Sequence, residues 1–209
     1  MSKQPSIDVL LIRSGETDWD DAERLQGETD LPMSESGRAA MSAMSSSLAD
    51  AHVEAVYCGP DEASVETARV VASHTGARVR KVQDLAEMRL GLWEGLREAE
   101  LLERYPKAYQ QWRDDPTAVT PPEGEMLIAN SDCIIAVASK ALERAPRGPI
   151  ALVLRPLAMA IVATWLKQGA LSDLWKTKES LGAIERLHVS LIDLHAKAPT
   201  TVDAAQDNA

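Results

Sequence analysis

Short apolar runs alternate with helical patterns along most of the chain, and this alternation is the feature that most constrains its fold. Buried strands are expected at 7–12 (IDVLLI), 53–58 (VEAVYC), 77–82 and 149–154 (PIALVL), with a final edge strand at 184–194. Helical spacing of apolar residues occurs at 36–49, 62–74, 125–143 and 157–167. Such alternation with short connections predicts an α/β fold, a three-layer sandwich around a mostly parallel central sheet.

The chain is long enough for one sizeable core. It has 209 residues, 45% hydrophobic and 26% charged, which is the balance of an ordinary globular domain. We expect a single domain over 1–195. Within it, Gly and Pro interrupt short charged helical pieces at about 84–122, which we interpret as an insertion beside the functional site. The small polar residues of 196–209 predict a disordered tail.

Charge and cysteine content exclude several classes of function. A formal net charge of −10 disfavours broad binding to nucleic acid or acidic membranes. The opening segment MSKQPSIDVLLIRSGE lacks the long apolar stretch of a signal peptide or anchor, and the apolar window at 150–166 is broken by Arg155 and Pro156, so we expect no membrane association. Two cysteines, Cys58 and Cys133, are too few for a disulfide framework or a cysteine-based zinc site. We therefore expect a cytoplasmic protein without metal or cofactor.

The residues that directly follow the strands are the candidates for chemistry, because ligands bind outside the carboxyl ends of strands in open α/β sheets. Arg13 and Ser14 follow the first strand, Glu87 follows the short strand at 77–82, and Arg155 follows the strand at 149–154. Two arginines from different strands can converge on one anion, since each guanidinium offers a planar fork matched to phosphate or carboxylate oxygens. The sequence thus predicts an anion site at this edge of the sheet.

The segment 11–37, LIRSGETDWDDAERLQGETDLPMSESG, resembles the opening of the histidine phosphatase superfamily, which includes cofactor-dependent phosphoglycerate mutase. The segments PDEASVETARVVA, Glu87 with LGLWEGL, PPEGE at 121–125 and the strand and helix at 150–166 are similar to later motifs of that family. The resemblance implies a phosphoglycerate mutase-like fold, a monomer or homodimer, and transfer of a phosphoryl group through a phosphohistidine. In that chemistry a carboxylic acid protonates the leaving oxygen, while arginines and a second histidine hold the phosphoryl oxygens.

Several residues that this chemistry requires are replaced. Ser14 stands where the family has its nucleophilic histidine, Ala63 where the simplest register places the second arginine, and Arg155 where the second histidine stands. Arg13 and the acid Glu87 remain. The four histidines, at 52, 74, 188 and 195, follow no strand that carries the site. The chain is therefore expected to be a degenerate member that lacks both active-site histidines and has no catalytic set.

Each candidate residue has a second interpretation. Ser14 could be a nucleophile, a donor to a bound anion or a turn cap. Arg13 binds an anion or pairs with Glu16 or Glu87, and Arg155 binds an anion or neutralises Glu87 or Glu62. For Glu87 we favour an ion-pair role over that of an acid.

The positions of the tryptophans and cysteines in the sequence predict whether each lines the pocket or packs in the core. Trp19 and Trp93 are expected to wall the pocket, whereas Trp112, Trp165 and Trp175 are expected to be packing residues. Cys58 and Cys133 are expected in the core.

Three functions follow. The leading hypothesis is a pseudophosphatase without phosphatase or mutase turnover that binds phosphate through Arg13, Ser14 and Arg155, from a phosphorylated small molecule or a protein partner. One alternative is a phosphatase or phosphomutase with altered catalytic residues that does not use a phosphohistidine. The other is a scaffold protein with an empty pocket.

Overall fold

The computed structural model describes residues 6–145 and 148–190. Its central sheet contains β1 (Ser6–Arg13), β2 (Ala55–Cys58), β3 (Arg78–Lys81), β4 (Ile150–Leu154) and β5 (Ile184–Ser190). The strand order is β3-β2-β4-β1-β5. All neighbouring pairs are parallel except β1 with β5, which is antiparallel. The mostly parallel sheet predicted from the sequence is thereby confirmed.

Eight α-helices surround the sheet in the described part of the chain. They are α1 (Asp18–Asp21), α2 (Glu35–Ser45), α3 (Glu62–Thr75), α4 (Glu98–Arg104), α5 (Pro106–Asp114), α6 (Leu127–Glu143), α7 (Pro156–Leu166) and α8 (Leu174–Ser180). Short 3-10 turns occur at Ser46–Ala51, Gln83–Leu85, Gly91–Trp93 and Leu171–Asp173. No helix among residues 6–145 and 148–190 has the length and apolarity needed to cross a membrane.

Alternating residues of the central strands divide the core into two clusters, as the two-residue period of a strand requires. Val9 and Leu11 of β1 face the cluster built with α6 and α7, whereas Leu10 and Ile12 face the cluster built with α2 and α3. Helix α7 is apolar on all sides, and Leu157 to Leu166 are all buried. The sheet is therefore covered on both faces, which gives the three layers expected.

Some elements differ from the sequence-based expectation. The loop expected after β1 contains α1, whose four residues are too few to show apolar periodicity. Helix α8 was not predicted, because its sequence LWKTKES buries only Leu174. Residues 191–194 of the last expected strand, and the tail at 196–209, lie outside the described residues. The stretch expected to be an insertion, at about 84–122, forms α4 and α5 with two of the 3-10 turns.

Candidate functional site

A cavity of about 770 Å³ opens at the carboxyl ends of β1 and β4. Arg13 ends β1 and pairs with Leu154, the last residue of β4, so Arg155 follows directly beside it. The lining residues come from these strand ends, from the segment 16–27 that includes α1, from the start of α7, and from α4, α5 and α8. The parallel register of two neighbouring strands thus brings both predicted arginines to one site.

The two arginines share a carboxylate that the sequence analysis did not single out. Asp20 of α1 places Oδ2 at 3.3 Å from Nη1 of Arg155 and Oδ1 at 3.8 Å from Nη2 of Arg13. Arg13 also lies 3.9 Å from Glu16. Arg13 was expected to pair with Glu16 or Glu87, and Glu16 is the one found beside it. The residue within ion-pair distance of Arg155 is Asp20. The Arg155 charge also acts on Glu87, whereas Glu62 is exposed and does not line the cavity.

Arg155 is a buried cation with incomplete hydrogen bonding. Its side chain is 3% exposed. Nη1 donates to Ser14 Oγ at 3.4 Å and to Asp20, and Nη2 donates to Gln26 Oε1. Nε is buried and has no acceptor among the described residues. An unsatisfied buried donor of a charged group is costly. Arg155 also lines the cavity, so its guanidinium is a candidate to receive a ligand oxygen.

Glu87 lies beneath the arginine at the amino end of α7. Its two carboxylate oxygens accept from the backbone N–H groups of Met88, Leu157 and Ala158, at 2.9, 2.8 and 3.0 Å. Burial raises the pKa of Glu87 above its ordinary value of 4.5, although these donors and the Arg155 charge act in the opposite direction. Glu87 is therefore a carboxyl group with an increased tendency to hold its proton.

Ser14 and Ala63 are both out of contact with the cavity. Ser14 is 3% exposed and does not line the cavity. Its backbone N–H donates to Leu154 at 2.8 Å, and its hydroxyl accepts from Arg155. Ala63 is fully buried in the core cluster built with α2 and α3. No histidine lines the cavity among the described residues, and His52, His74 and His188 are exposed elsewhere. His195 lies outside the described residues.

The aromatic and cysteine assignments need correction. Trp93 is fully buried in the core, and neither it nor Trp19 lines the cavity. Trp112, Trp165 and Trp175 pack in or against the core as expected, and Trp112 and Trp175 also line the cavity. The reason is that α5 and α8, which carry these two residues, form a wall of the cavity. Cys133 is exposed on the outer side of α6 rather than in the core, while Cys58 is buried as expected.

Sequence reasoning missed three functional candidates. Asp20 and Gln26 belong to the motif at 11–37, and that motif is the sequence signal that could have identified them. They reach the site because this segment folds back over the carboxyl end of β1. Lys178 of α8 also lines the cavity, and no sequence pattern indicated it. Its desolvation, followed by the nearby charge of Arg13, lowers the pKa of Lys178.

Comparison with known proteins places this site in a family. A model described as histidine phosphatase superfamily (branch 1) matches residues 9–200. The chain belongs to the histidine phosphatase superfamily. Phosphoserine phosphatase 1 of Hydrogenobacter thermophilus is 28% identical over 121 residues, which are 58% of this chain and 57% of that protein. Glucosyl-3-phosphoglycerate phosphatase of Mycobacterium tuberculosis is 31% identical over 109 residues, 52% of this chain and 49% of that protein.

Solved structures agree with the fold of a histidine phosphatase. Mycobacterial hydrolase 1 superposes with a TM-score of 0.79 at 23% identity, over 88% of this chain and 91% of that chain. A mycobacterial glucosyl-3-phosphoglycerate phosphatase solved with VO3 gives a TM-score of 0.74 at 25% identity, over 80% of this chain and 85% of that chain. The match to the curated relatives spans about half of their length.

Proposed function

We propose that this histidine phosphatase superfamily member binds a phosphorylated ligand without turning it over. The observation that carries the proposal is the state of Ser14, which replaces the nucleophile that the resemblance implies. The residue is buried, and its hydroxyl accepts a hydrogen bond from the Arg155 cation. A serine hydroxyl needs a neighbouring base to become a nucleophile. Its neighbour here is a positive charge, which offers no lone pair to take the proton.

The arginines support binding. Arg13 is 41% exposed at the cavity wall, and Arg155 lines the same cavity from a buried position. Lys178 adds a third cation to the same cavity. Ser14 contributes through Arg155, which it helps to orient. A phosphate group with several acceptor oxygens fits such a set of donors, because charge-assisted hydrogen bonds are about twice as strong as neutral ones.

A second candidate function is a phosphatase with altered machinery. It is favoured by Glu87, which the raised pKa equips to donate a proton to a leaving oxygen. It is also favoured by the relatives, of which two are phosphatases by name. In this candidate, water rather than Ser14 attacks phosphorus, and Arg13 and Arg155 stabilise the transferring group.

Turnover distinguishes the two candidates. Purified protein is assayed with an aryl phosphate, a phosphoglycerate and phosphoserine. We expect no release of phosphate above that of a protein-free blank. Release that is lost in Glu87→Gln would overturn the first proposal in favour of the second.

Binding is tested separately by the thermal shift that inorganic phosphate produces. We expect phosphate to raise the melting temperature of the wild type, and Arg13→Ala and Arg155→Ala to lose that shift. Arg78→Ala is the matched control, since it removes the same charge from an exposed position on β3, at the opposite edge of the sheet. Equal shifts in all four proteins, or none in any, would contradict ligand binding at this site, and the latter result favours a scaffold with an empty pocket.

A further inference from the structure

The carboxylate of Asp20 lies where a bound anion would bridge the two arginines. It approaches Arg155 at 3.3 Å with one oxygen and Arg13 at 3.8 Å with the other. The Asp20 carboxylate thus lies close to both arginines with which a ligand phosphate would have to interact. The side chain of Asp20 is 15% exposed, which places it at the boundary between the protein and the cavity that it lines.

The local fold holds this carboxylate in place. The Thr17 backbone N–H donates to Oδ2 of Asp20 at 2.8 Å, and the Thr17 hydroxyl donates to the same oxygen at 2.9 Å. In return, the Asp20 backbone N–H donates to the Thr17 hydroxyl at 3.3 Å, which completes a capping box at the start of α1. Oδ1 receives no hydrogen bond of this kind. One oxygen is therefore anchored by α1, and the other faces Arg13.

We propose that Asp20 is a built-in competitor for the anion site and sets its affinity and selectivity. The inference rests on the proposed binding function. A ligand oxygen can reach Arg13 and Arg155 together only if Asp20 releases them or tolerates a second negative charge close by. Like charges at this distance repel strongly in a partly buried site. A phosphomonoester dianion carries more charge and more acceptor oxygens than a carboxylate, so it competes with Asp20 where a monocarboxylate fails.

The test is the affinity for inorganic phosphate, measured by calorimetry on wild type, Asp20→Asn and Asp18→Asn. Asparagine keeps an oxygen that can accept from Thr17 but removes the charge. We expect Asp20→Asn to bind phosphate about tenfold more tightly than wild type or better. Asp18→Asn is the matched control, because it removes one charge from the exposed face of the same helix. It is expected to leave the affinity within about twofold of wild type.

Selectivity provides a second readout. The wild type is expected to bind phosphate but not acetate at the same concentration, and Asp20→Asn is expected to gain acetate binding. Asp20→Ser, which also lacks the charge, should behave as Asp20→Asn does, so the test survives if one variant fails to fold. Both variants keep the backbone N–H of residue 20, which donates to the Thr17 hydroxyl at the N-cap of α1.

The outcomes separate this inference from the proposed function. If wild type binds phosphate in an Arg155-dependent manner while the two Asp20 variants bind no better, Asp20 is only a structural counter-ion and the inference is wrong, although the binding function stands. If neither the wild type nor the Asp20 variants bind phosphate, the binding function fails and the inference fails with it. An equal gain in Asp18→Asn would assign the effect to overall charge and would also overturn the inference.

Discussion

At Glu87, burial and hydrogen bonding act on the pKa in opposite directions, and burial has the larger effect. Three backbone N–H groups donate to its carboxylate, which favours the charged form, while burial at the amino end of α7 disfavours it. The net result is a raised pKa. A buried carboxyl with this balance stabilises the fold in its protonated form and less so when it is ionised.

This balance predicts how stability depends on pH. Because the pKa of Glu87 in the folded state lies above the ordinary 4.5, its contribution is fully present below about pH 4.5 and is lost as pH rises through the raised pKa. Glu87→Gln cannot titrate. We therefore expect the stability of wild type relative to Glu87→Gln to fall as the pH rises from 4.5 to 8. Urea unfolding at a series of pH values measures it.

Glu103→Gln serves as the control for loss of a charge, since Glu103 is exposed on α4. Its stability is measured over the same pH range. A gap between wild type and Glu87→Gln that stays constant, or that widens toward pH 8, would contradict a raised pKa at Glu87.

At the residue scale the sequence predicted the location of the site better than its contacts. Arg13, Glu87 and Arg155 were predicted from their positions after strands, and all three line one cavity. The pairing of Arg155 with Asp20 could not be predicted, because it depends on how α1 folds back over the strand ends. Contacts between residues distant in sequence depend on the path of the loops, which strand and helix patterns do not specify.

Among the structural elements, the turn at Gly91–Trp93 packs closely against the backbone at the end of the insertion, Pro122 to Gly124. Gly91 has φ of +55°, and a Cβ on it would lie 2.2 Å from the Pro122 carbonyl oxygen and 2.5 Å from the Gly124 nitrogen. Leu92 donates its backbone N–H to the same Pro122 carbonyl at 2.9 Å. The close packing of two backbone segments therefore requires glycine at this position.

This packing predicts an unequal cost for two alanine substitutions. Gly76, at the end of α3, also has a positive φ, +71°, but nothing lies within 4 Å of its Cβ position. Both Gly91→Ala and Gly76→Ala place an alanine in the left-handed backbone conformation, which lowers stability. Only Gly91→Ala also produces a steric clash. We expect Gly91→Ala to lose about 1–3 kcal/mol more stability than Gly76→Ala in urea unfolding. Equal losses would show that the turn has room to adjust.

Element types were predictable where apolar residues repeat over many positions. The strands β1, β2 and β4 and the helices α3, α6 and α7 were expected within a few residues of their bounds. Short, charged elements such as α1 and α8 carry too little apolar periodicity to be recognised. The wall of the cavity is built partly from α8, which explains why Trp175 was expected to be a packing residue and Lys178 was not singled out.

At the scale of the whole molecule, the two cysteines differ in burial and can therefore be used to follow opening of the structure. Cys58 ends β2, which lies between β3 and β4, and is fully buried, whereas Cys133 is exposed on α6. Burial, followed by the charge of Asp61, raises the pKa of the Cys58 thiol to about 11. The Cys133 thiol also has a raised pKa, through desolvation and then the charges of Asp84 and Glu125.

Alkylation should therefore proceed in two phases. At pH 8 we expect iodoacetamide to modify Cys133 in the native protein, faster as pH rises, while Cys58 reacts only when the whole sheet opens. Mass spectrometry of quenched samples follows each site. The rate at Cys58 should increase with urea in step with global unfolding. Equal rates at the two sites in native buffer would mean that β2 opens locally.

The charged outer strands have a consequence for how the protein behaves when stressed. β3 reads RVRK and β5 reads IERLHVS, and each forms one border of the sheet. Cationic and polar side chains on such borders discourage another chain from adding itself as a further strand. Detachment of β5 would uncover the unpaired backbone N–H and C=O groups of β1, whose largely apolar sequence IDVLLI is suited to cross-β self-association. The pairing of β5 with β1 is therefore what protects this border of the sheet against aggregation.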